Sequence, residues 1–370
     1  MNRDEYNYWL GNINNIGARK IEWLLEVFGN AEEVYRAPRD ILMAALALGS
    51  DSVGAKPSEE NIETLIRNRE AGRTSGDYAK LMKSGIEYIT KEDSRYPSKL
   101  KEIYSAPYAL YVKGSLPEQG RTVLAVVGAR ECSPYGKEMA RFLAGAVAGA
   151  GIAIISGLAR GIDSYAHEGA LASGGITYGV LGCGIDICYP KENINLYMEM
   201  QKTGGIISEY APGMQPLAAN FPMRNRIISG LSDGILVIEA KEKSGSLITV
   251  DMGLDQGRDI YALPGRSTDR LSEGCNNLIK MGAKLVTTPK DILEELIPGY
   301  EQKADCINKD NNRMNKQERI IYDSLSLEPL HIEQISLQTG ITMDLLMEQL
   351  LLLEIRGLAR QSMKNYYVVA

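Results

Sequence analysis

The stretch Thr122-Val123-Leu124-Ala125-Val126-Val127-Gly128 decides the fold of this 370-residue chain, because it is a β-rich apolar run that ends in glycine. A continuous apolar run of this length is typical of a strand that is buried on both faces of a sheet. Helical stretches such as 137–150 and 247–256 separate it from later runs of the same kind. Strands that alternate with helices predict an α/β fold with a doubly wound, mostly parallel sheet. The later runs lie at 152–157, 177–182, 205–208, 234–240 and 259–264.

The segment before this core has a helical pattern. Residues 1–75 contain a Gly/Asn-rich turn at 10–17, and the turn is followed by 18–28 with apolar residues at helical spacing. This order is typical of sterile-alpha-motif-like and helix-hairpin-helix modules, whose hairpins can bind DNA phosphates through backbone N–H groups. The acidic balance of the segment, 9 Lys and Arg against 12 Asp and Glu, also fits a packing or protein-contact module.

The segment after the core divides into a linker and a small domain. Residues 301–314 are polar and aperiodic, which is typical of a linker. Residues 315–370 follow the order helix, helix, helix, hairpin, which resembles a winged helix. We therefore predict a helical domain at 1–75, an extended Rossmann-like core at 76–300, a linker at 301–314 and a winged helix at 315–370.

Composition restricts the class of protein. The chain has 44% hydrophobic and 24% charged residues, which is ordinary for a soluble globular protein. Neither a signal-peptide pattern nor a run of ~18 apolar residues is present, so we expect a cytoplasmic protein without a membrane partner. The five cysteines are scattered, which predicts reduced thiols and no metal site.

Charge restricts the kind of nucleic-acid site that the chain could build. The net charge of −6 argues against a broad basic surface. The middle segment, 76–300, is nearly neutral, with 24 Lys and Arg against 25 Asp and Glu. A polyanion site should therefore be local, built from a few cations and backbone N–H donors.

The loops that follow the strands carry the candidate site, because ligands of such sheets bind outside the carboxyl ends of the strands. The first loop, 128–136, lacks the second glycine of GxGxxG, so we expect no dinucleotide cofactor. Its N–H groups and Arg130 suit a phosphate instead. In the second loop, 156–163, Asp163 is expected to cap the following helix or to accept hydrogen bonds. His167 is expected to be structural, because the sequence offers no partnered nucleophile.

The third loop, 182–193, offers groups for a single nucleic-acid strand. Tyr189 has a face on which a base could stack, and Lys191 has a charge for the backbone. Lys191 also fits a solvated lysine in the first turn of a helix. A later loop, 244–249, consists of small residues at the start of a helix and is expected to form an anion nest.

Two arginines occur in the segment 221–231, near the start of a predicted helix. Cations at a helix N-terminus oppose the helix dipole, so Arg224 and Arg226 need an anion or a buried carboxylate partner. Glu239, which follows the predicted strand 234–238, is the candidate partner of Arg226.

The order and spacing of these loops resemble the DprA/Smf family over about 121–282, and the flanking modules resemble those of its longer members. The stretch Arg224-Asn225-Arg226-Ile227-Ile228-Ser229-Gly230 is particularly telling. Ala129 is a mild departure from the Gly-Ser-Arg that is typical of the first motif. The other motifs that carry the resemblance are Ser156-Gly157-Leu158-Ala159-Arg160-Gly161-Ile162-Asp163, Ala166-His167, Tyr189-Pro190-Lys191-Glu192-Asn193, Ser244-Gly245-Ser246 and Leu263-Pro264-Gly265.

The resemblance implies a protein that binds and protects single-stranded DNA, helps load the RecA recombinase during natural transformation or recombination, and forms homodimers through its core. It also implies that Arg130 and Lys191 contact DNA. We therefore predict a binding protein rather than an enzyme, with no cofactor and no metal. We predict structural roles for Asp163, His167, Arg226 and Glu239. The predicted DNA-binding residues are Gly128, Arg130, Ser133, Ser156, Gly157, Arg160, Gly184, Tyr189, Lys191, Phe221, Arg224, Asn225, Ser244, Gly245, Ser246 and Thr249.

An alternative prediction is a nucleotide-processing enzyme, because the core is also similar in pattern to lysine-decarboxylase-like phosphoribohydrolases. Those enzymes carry Pro-Gly-Gly-x-Gly-Thr, followed closely by a glutamate. The corresponding loop here, 244–249, has no such glutamate, which removes the expected general acid or base.

A second alternative places duplex DNA on the winged helix, whose third helix normally enters the major groove. That helix, at about 342–355, carries Asp344, Glu348 and Glu354 and no Lys or Arg. The sequence therefore favours a protein-contact or dimer-supporting role for the tail.

Overall fold

The computed structural model describes residues 1–48, 55–72, 74–297, 300, 315–326, 328–355 and 358–369. The chain divides into two compact units, Met1–Leu296 and Ile297–Ala370. The predicted domain boundary at residue 75 falls within a helix, Thr74–Lys83, so the N-terminal helices and the sheet belong to the same compact unit. The predicted linker, 301–314, lies outside the described residues.

The described residues of the first unit form one nine-stranded sheet, with the order β1-β2-β6-β5-β4-β3-β7-β8-β9. Neighbours from β6 through β3 to β9 pair in parallel, whereas β1 and β2 pair antiparallel to each other and β2 pairs antiparallel to β6. The α/β fold with a mostly parallel sheet is thus confirmed. The strands are β1 Glu87–Thr90, β2 Ala109–Gly114, β3 Val123–Val127, β4 Ala153–Ser156, β5 Thr177–Leu181, β6 Gly205–Ser208, β7 Gly234–Val237, β8 Asp259–Ala262 and β9 Lys284–Leu285.

Helices connect these strands and cover the sheet. The N-terminal helices are α1 Arg3–Gly11, α2 Ala18–Phe28, α3 Ala31–Arg36, α4 Arg39–Leu48, α5 Glu59–Ala71 and α6 Thr74–Lys83. The helices of the core are α7 Ser98–Lys101, α8 Pro134–Gly149, α9 Ile162–Ala172, α10 Ile194–Thr203, α11 Asn220–Leu231, α12 Gly245–Asp255, α13 Glu273–Lys280 and α14 Lys290–Leu296, with a 3-10 turn at Lys191–Asn193 before α10.

Burial explains why the apolar runs form the central strands. All five residues of β3 are buried, and so are all residues of β4, β5, β6 and β7. Such strands need helices on both sides of the sheet, since neither face of the strand is polar. The N-terminal helices build a separate cluster around Trp9 and Trp23, and Tyr108 and Ala109 join it at the start of β2. The sheet edge and the helical segment therefore share one apolar contact.

The second unit has the order α15 Lys316–Ser324, β10 Leu330–His331, α16 Ile332–Thr339, α17 Met343–Ile355, β11 Ala359–Met363 and β12 Tyr366–Val369. Its strands pair antiparallel in the order β10-β12-β11. Ile321, Ile335 and Leu350 are among the residues of its own apolar core. This is the predicted winged helix, with one addition, because Leu330 and His331 form a short strand where the sequence pattern predicted the start of a helix.

The sheet topology places the site. The chain runs from the central strand β3 to one side through β4, β5 and β6, and then crosses to the other side of β3 to form β7, β8 and β9. The connections that follow β3 and β4 therefore run towards one side of the sheet, and the connection that follows β7 runs towards the other side. In open α/β sheets such a reversal opens a crevice at the carboxyl ends of the strands, and ligands bind there.

Candidate nucleic-acid interface

A cleft of about 740 Å³ opens where the topology predicts it. Loops that follow β3, β4, β5 and β7 line it, together with the start of α11 and of α12. The sequence prediction that separate loops meet at one edge of the sheet is thus met by the geometry. The predicted site residues that line the cleft are Gly128, Arg130, Asp163, Tyr189, Phe221, Arg224, Asn225, Ser244, Gly245, Ser246 and Thr249.

The loop after β3 packs closely against its neighbours. A Cβ on Gly128 would lie 2.7 Å from Cγ1 of Ile162 and 2.9 Å from the carbonyl oxygen of Glu239, so only glycine fits there without a shift. The backbone N–H of Ala129 donates to that same carbonyl oxygen at 2.7 Å. Arg130 is exposed, and its guanidinium carbon lies 5.6 Å from the centre of the Phe221 ring. The closely packed backbone of this loop thus places the Arg130 guanidinium at the cleft.

Ser133 and Glu239 fix the start of α8. Ser133 is the N-cap, and its hydroxyl accepts a hydrogen bond from the N–H of Gly136 at 3.0 Å. The same hydroxyl donates to Glu239 Oε1 at 2.5 Å, and the Ser133 N–H donates to Oε2 at 2.9 Å. The Ser133 hydroxyl is therefore engaged within the protein, and a contact of Ser133 with DNA stays a prediction. Glu239, only 5% exposed, has the structural role that was predicted, with a different partner.

The loop after β4 is held by buried hydrogen bonds. Asp163 accepts hydrogen bonds from the N–H groups of Gly157 at 3.0 Å and Ala159 at 3.4 Å, as expected of an acceptor within the loop. Burial raises the pKa of Asp163, and the nearby Arg224 opposes that rise. Ser156 is fully buried and its hydroxyl donates to the Val126 carbonyl oxygen at 2.5 Å. The Ser156 hydroxyl thus joins two neighbouring strands, and a contact of Ser156 with DNA stays a prediction.

Arg224 is a buried cation at the floor of the cleft. It is 4% exposed, and its guanidinium donates to the carbonyl oxygens of Gly157, at 2.7 Å, and Val180. Burial lowers the pKa of Arg224 to about 10, an effect that Asp163 opposes and Arg130 reinforces. The group stays charged at neutral pH, so it adds positive potential to the cleft. Its donors are turned to backbone, which places it as a support of the loops rather than as an exposed phosphate ligand.

Arg226 pairs with a different carboxylate from the one predicted. Its Nη2 lies 2.5 Å from Oε2 of Glu209, which directly follows β6, and the two side chains are 8% and 23% exposed. The predicted partner, Glu239, is engaged by Ser133 instead. The structural role of Arg226 fits this burial, but the proposed pair with Glu239 is wrong.

An aromatic pair stands beside the exposed arginine. Tyr189 is 46% exposed, and its ring centre lies 5.8 Å from that of Phe221, at an interplanar angle of 34°. The Arg224 guanidinium carbon lies 6.0 Å from the Phe221 ring centre, so two arginines face this one ring. Two rings beside two cations offer both a stacking surface for a base and a charge for its phosphate.

Arg160 and Lys191 are exposed but do not line the cleft; they lie on the same loops as Ala159 and Tyr189, which do, and we call this border of the cleft the rim. Arg160 donates to both carboxylate oxygens of Glu192, from Nε at 2.6 Å and from Nη2 at 2.9 Å. This pairing raises the pKa of Arg160 and lowers the pKa of Glu192. Gly184 is buried, and its N–H donates to the Met214 carbonyl oxygen at 2.8 Å, which is a structural position rather than the predicted DNA contact.

The opposite wall is the start of α12. The Ser244 hydroxyl accepts a hydrogen bond from the Ser246 N–H at 3.4 Å and lies 2.8 Å from the Ser246 hydroxyl, while Gly245 is exposed. Thr249 borders the cleft but is only 2% exposed. Lys241 and Lys243 are exposed and also line the cleft. Sequence reasoning did not include these two lysines, although their position between β7 and a helix start was the signal that could have found them.

His167 occupies a buried position on α9. It is fully buried, and its Nδ1 lies 2.7 Å from the Thr177 hydroxyl oxygen. Burial lowers the pKa of His167 to about 3, with a smaller contribution from the charge of Arg224. A neutral, enclosed imidazole fits the predicted structural role.

No group of three or more His, Cys, Asp or Glu side chains within the described residues is arranged to hold a metal ion. No helix in the same part of the chain is both long and apolar enough to cross a membrane.

Comparison with protein-family models gives two matches. The model described as DNA recombination-mediator protein A matches residues 87–297. The model described as the DprA winged helix domain matches residues 311–362. Together they cover the sheet, the cleft and most of the C-terminal unit.

Known proteins and structures give the same likeness. The DNA processing protein DprA of Streptococcus pneumoniae is 48% identical over 204 residues, which are 55% of this chain and 72% of that protein. Its X-ray structure superposes with a TM-score of 0.66 and 35% identity, over 80% of this chain and 99% of that one. The structure of DNA processing protein A from Helicobacter pylori, which concerns its single-stranded DNA binding mode, superposes with a TM-score of 0.51 and 29% identity, over 57% of this chain and 96% of that one.

Proposed function

Because the chain belongs to the DprA/Smf family of DNA-processing proteins, we propose that it binds single-stranded DNA in the cleft at the carboxyl ends of β3, β4, β5 and β7. One observation carries the proposal: the exposed Tyr189 and the Phe221 ring lie beside the exposed Arg130 inside a single cleft. Stacking on an aromatic ring needs an unpaired base, so this arrangement favours a single strand over a duplex. The Helicobacter pylori relative, whose structure concerns single-stranded DNA binding, supports the same choice.

Both walls of the cleft contribute groups that bind the DNA backbone. On one wall Arg130 and, at the rim, Lys191 neutralise phosphates, while Tyr189 stacks a base. On the other wall Lys241 and Lys243 neutralise the next phosphates, and the start of α12 offers backbone N–H groups. Arg224 and Asp163 hold the loops from beneath. The strand thus lies across the sheet edge between two sets of cations.

We infer binding without catalysis. The carboxylates that line the cleft are Asp163, which accepts backbone hydrogen bonds, and Glu131, which is exposed. Asp163 is buried and engaged by the N–H groups of Gly157 and Ala159, so it is not placed to transfer a proton to a bound strand, and we assign no such role to Glu131. The alternative of a phosphoribohydrolase predicts release of free base from adenosine monophosphate, and we expect none in an overnight incubation followed by chromatography.

The finer roles that the family resemblance implies belong to the same proposal. The protein loads the RecA recombinase onto the bound strand, acts as a homodimer through its core, and works in the cytoplasm, where such DNA and recombinase occur. Light scattering on the purified chain measures the dimer, and RecA filament formation on strands coated with a single-strand-binding protein measures loading. A monomer, or no gain in filament formation, would remove the corresponding role.

The winged helix is proposed to contact protein rather than duplex DNA. Helix α17 carries three acidic residues and no Lys or Arg, and Met347 and Leu351, four residues apart, are each 56% exposed on it. A helix of this kind repels a duplex phosphate backbone. Duplex affinity that stays unchanged after Met347→Ser and Leu351→Ser supports this reading, whereas a loss of duplex affinity contradicts it.

A salt series tests the main proposal. Replacing Arg130 and Lys191 together by glutamine removes two phosphate contacts, so the slope of log affinity against log salt becomes about 1.4 less steep. Between 50 and 200 mM salt that difference amounts to about sevenfold in affinity. The assay is fluorescence anisotropy with a labelled oligothymidine, and the matched control is Lys80→Gln with Lys202→Gln, two exposed lysines that do not line the cleft. An unchanged slope in the first variant would refute the site.

A further inference from the structure

We propose that Glu192 is a built-in competitor for DNA phosphate: it holds the Arg160 guanidinium in an ion pair at the rim of the cleft, and a phosphate of the bound strand displaces it. The inference rests on the proposed function, because it describes how the same site limits its own affinity. The first consequence is that the wild-type protein binds single strands less tightly than its cations allow.

The geometry of the pair matches what a phosphate would offer. Nε and Nη2 of Arg160 donate to the two oxygens of Glu192 at 2.6 and 2.9 Å, a bidentate arrangement that phosphate oxygens can reproduce. The two side chains are 64% and 54% exposed, so a ligand can reach the guanidinium from solvent. The carboxylate therefore occupies the position that an incoming phosphate needs.

The pair stands beside the residues that are proposed to bind DNA. Gly161 follows Arg160, and a Cβ there would collide with the carbonyl oxygens of Ala129 and Arg130. The N–H of Ile162 donates to the Ala129 carbonyl oxygen at 3.2 Å. The backbones that carry the two arginines are thus in direct contact. Glu192, in turn, directly follows Lys191 in the sequence, so the carboxylate that pairs with Arg160 belongs to the same turn as a second cation of the rim.

The loops do not need the ion pair to stay in place. Asn193, 7% exposed, donates through Nδ2 to the Leu158 carbonyl oxygen and to the Ser164 hydroxyl, both at 2.9 Å. This buried amide joins the loop that carries Glu192 to the loop that carries Arg160. An exposed ion pair adds little stability to such a contact. The Glu192 carboxylate can therefore be displaced or removed without moving the loops. A competitor for phosphate must have this property, whereas a carboxylate that held the two loops together would not have it.

The test is Glu192→Gln, which removes the negative charge and keeps the shape. We expect its affinity for a 15-nucleotide oligothymidine to rise about two- to fivefold at 50 mM salt, the range of one exposed ion pair. The salt slope should stay close to that of the wild type, since a phosphate takes up the Arg160 guanidinium in both proteins and the number of phosphate contacts is unchanged. The matched control is Glu199→Gln, because Glu199 pairs with Lys202 at 2.6 Å with side-chain exposures of 56% and 65%, close to those of the Arg160 pair.

A double-variant cycle separates exchange from a general charge effect. Adding Glu192→Gln to Arg160→Gln should give no gain, because no guanidinium remains to be released. The proposal is overturned if Glu192→Gln leaves affinity unchanged or lowers it, if Glu199→Gln gives the same gain, or if the gain persists in the Arg160→Gln background. Failure of the proposed function looks different, since the wild-type protein itself would then show no salt-dependent binding of single strands.

Discussion

Replacing Glu239 by alanine tests how the first loop of the cleft is held. The carboxylate, 5% exposed, accepts the Ser133 N–H at 2.9 Å and the Ser133 hydroxyl at 2.5 Å, and it lies against Gly136. Hydrogen bonds to a charged group are worth about 1.5–3 kcal/mol each, and alanine leaves both donors without this acceptor. We therefore expect the free energy of unfolding of the first unit to fall by ~3–5 kcal/mol. For a unit of this size that corresponds to ~6–12 °C in melting temperature.

Tryptophan fluorescence follows the first unit selectively, because both tryptophans of the chain, Trp9 and Trp23, are buried in its N-terminal cluster. The control is Glu242→Ala, which removes an exposed carboxylate three residues further along and should change the free energy of unfolding by no more than about 0.5 kcal/mol. Hydrogen exchange adds a local readout, since the amide of Ser133 should lose protection in the Glu239 variant. Equal melting temperatures for Glu239→Ala and Glu242→Ala, with the Ser133 amide still protected from hydrogen exchange, would refute the role of Glu239 in holding the start of α8.

Two further predictions concern buried groups of the same unit. His167 has a folded-state pKa of about 3, far below the ordinary 6.5 of an unfolded chain, so the unfolded state takes up the proton first as the pH falls. The free energy of unfolding therefore falls below about pH 6.5, by ~2 kcal/mol between pH 7 and pH 5. A series of melting temperatures against pH should show this loss in the wild type and in the control His331→Gln. It should be absent in His167→Gln. Gly157→Ala should lower the melting temperature, because its Cβ would lie 2.6 Å from Arg224 Nη2 and 2.7 Å from Asp163 Oδ2. Gly245→Ala meets nothing within 4 Å and should melt like wild type; equal melting of both glycine variants would contradict the packing argument.

The central sheet could be predicted because its strands carry their own signal. A parallel strand that is covered on both faces is mostly apolar, and β3 through β7 are buried along their whole length, with Ser156, Thr177 and Ser208 at strand ends. The antiparallel strands β1 and β2 were not predicted, since their burial depends on partners distant in sequence. Tyr108 and Ala109 at the start of β2 pack against the N-terminal helices, and a local pattern cannot report that contact. Strand β10, with two residues, is likewise fixed only by its pairing with β12.

The loops of the site could be located from the sequence, but the directions of their side chains could not. Two residues of a helix two positions apart point about 200° apart, so Arg224 and Arg226 had to face different partners. Arg224 turns to the carbonyl oxygens of Gly157, which follows β4, and of Val180 in β5, whereas Arg226 turns to Glu209. Glu209 and Glu239 both follow strands at the same edge of the sheet. Which carboxylate meets which arginine depends on the rotation of α11, which spacing alone does not define.

The overall acidity of the chain and its proposed polyanion site are compatible, because the two act over different distances. The net charge is −6, but salt at physiological strength screens exposed charges beyond about 8 Å. Phosphates in the cleft therefore respond to Arg130, Lys241 and Lys243 rather than to acids elsewhere on the surface. The measurable consequence is that salt dependence reports the number of local contacts. Because Glu192 pairs with the Arg160 guanidinium, neutralising this one carboxylate should raise the affinity through a single local cation, while the net charge of the protein changes only from −6 to about −5.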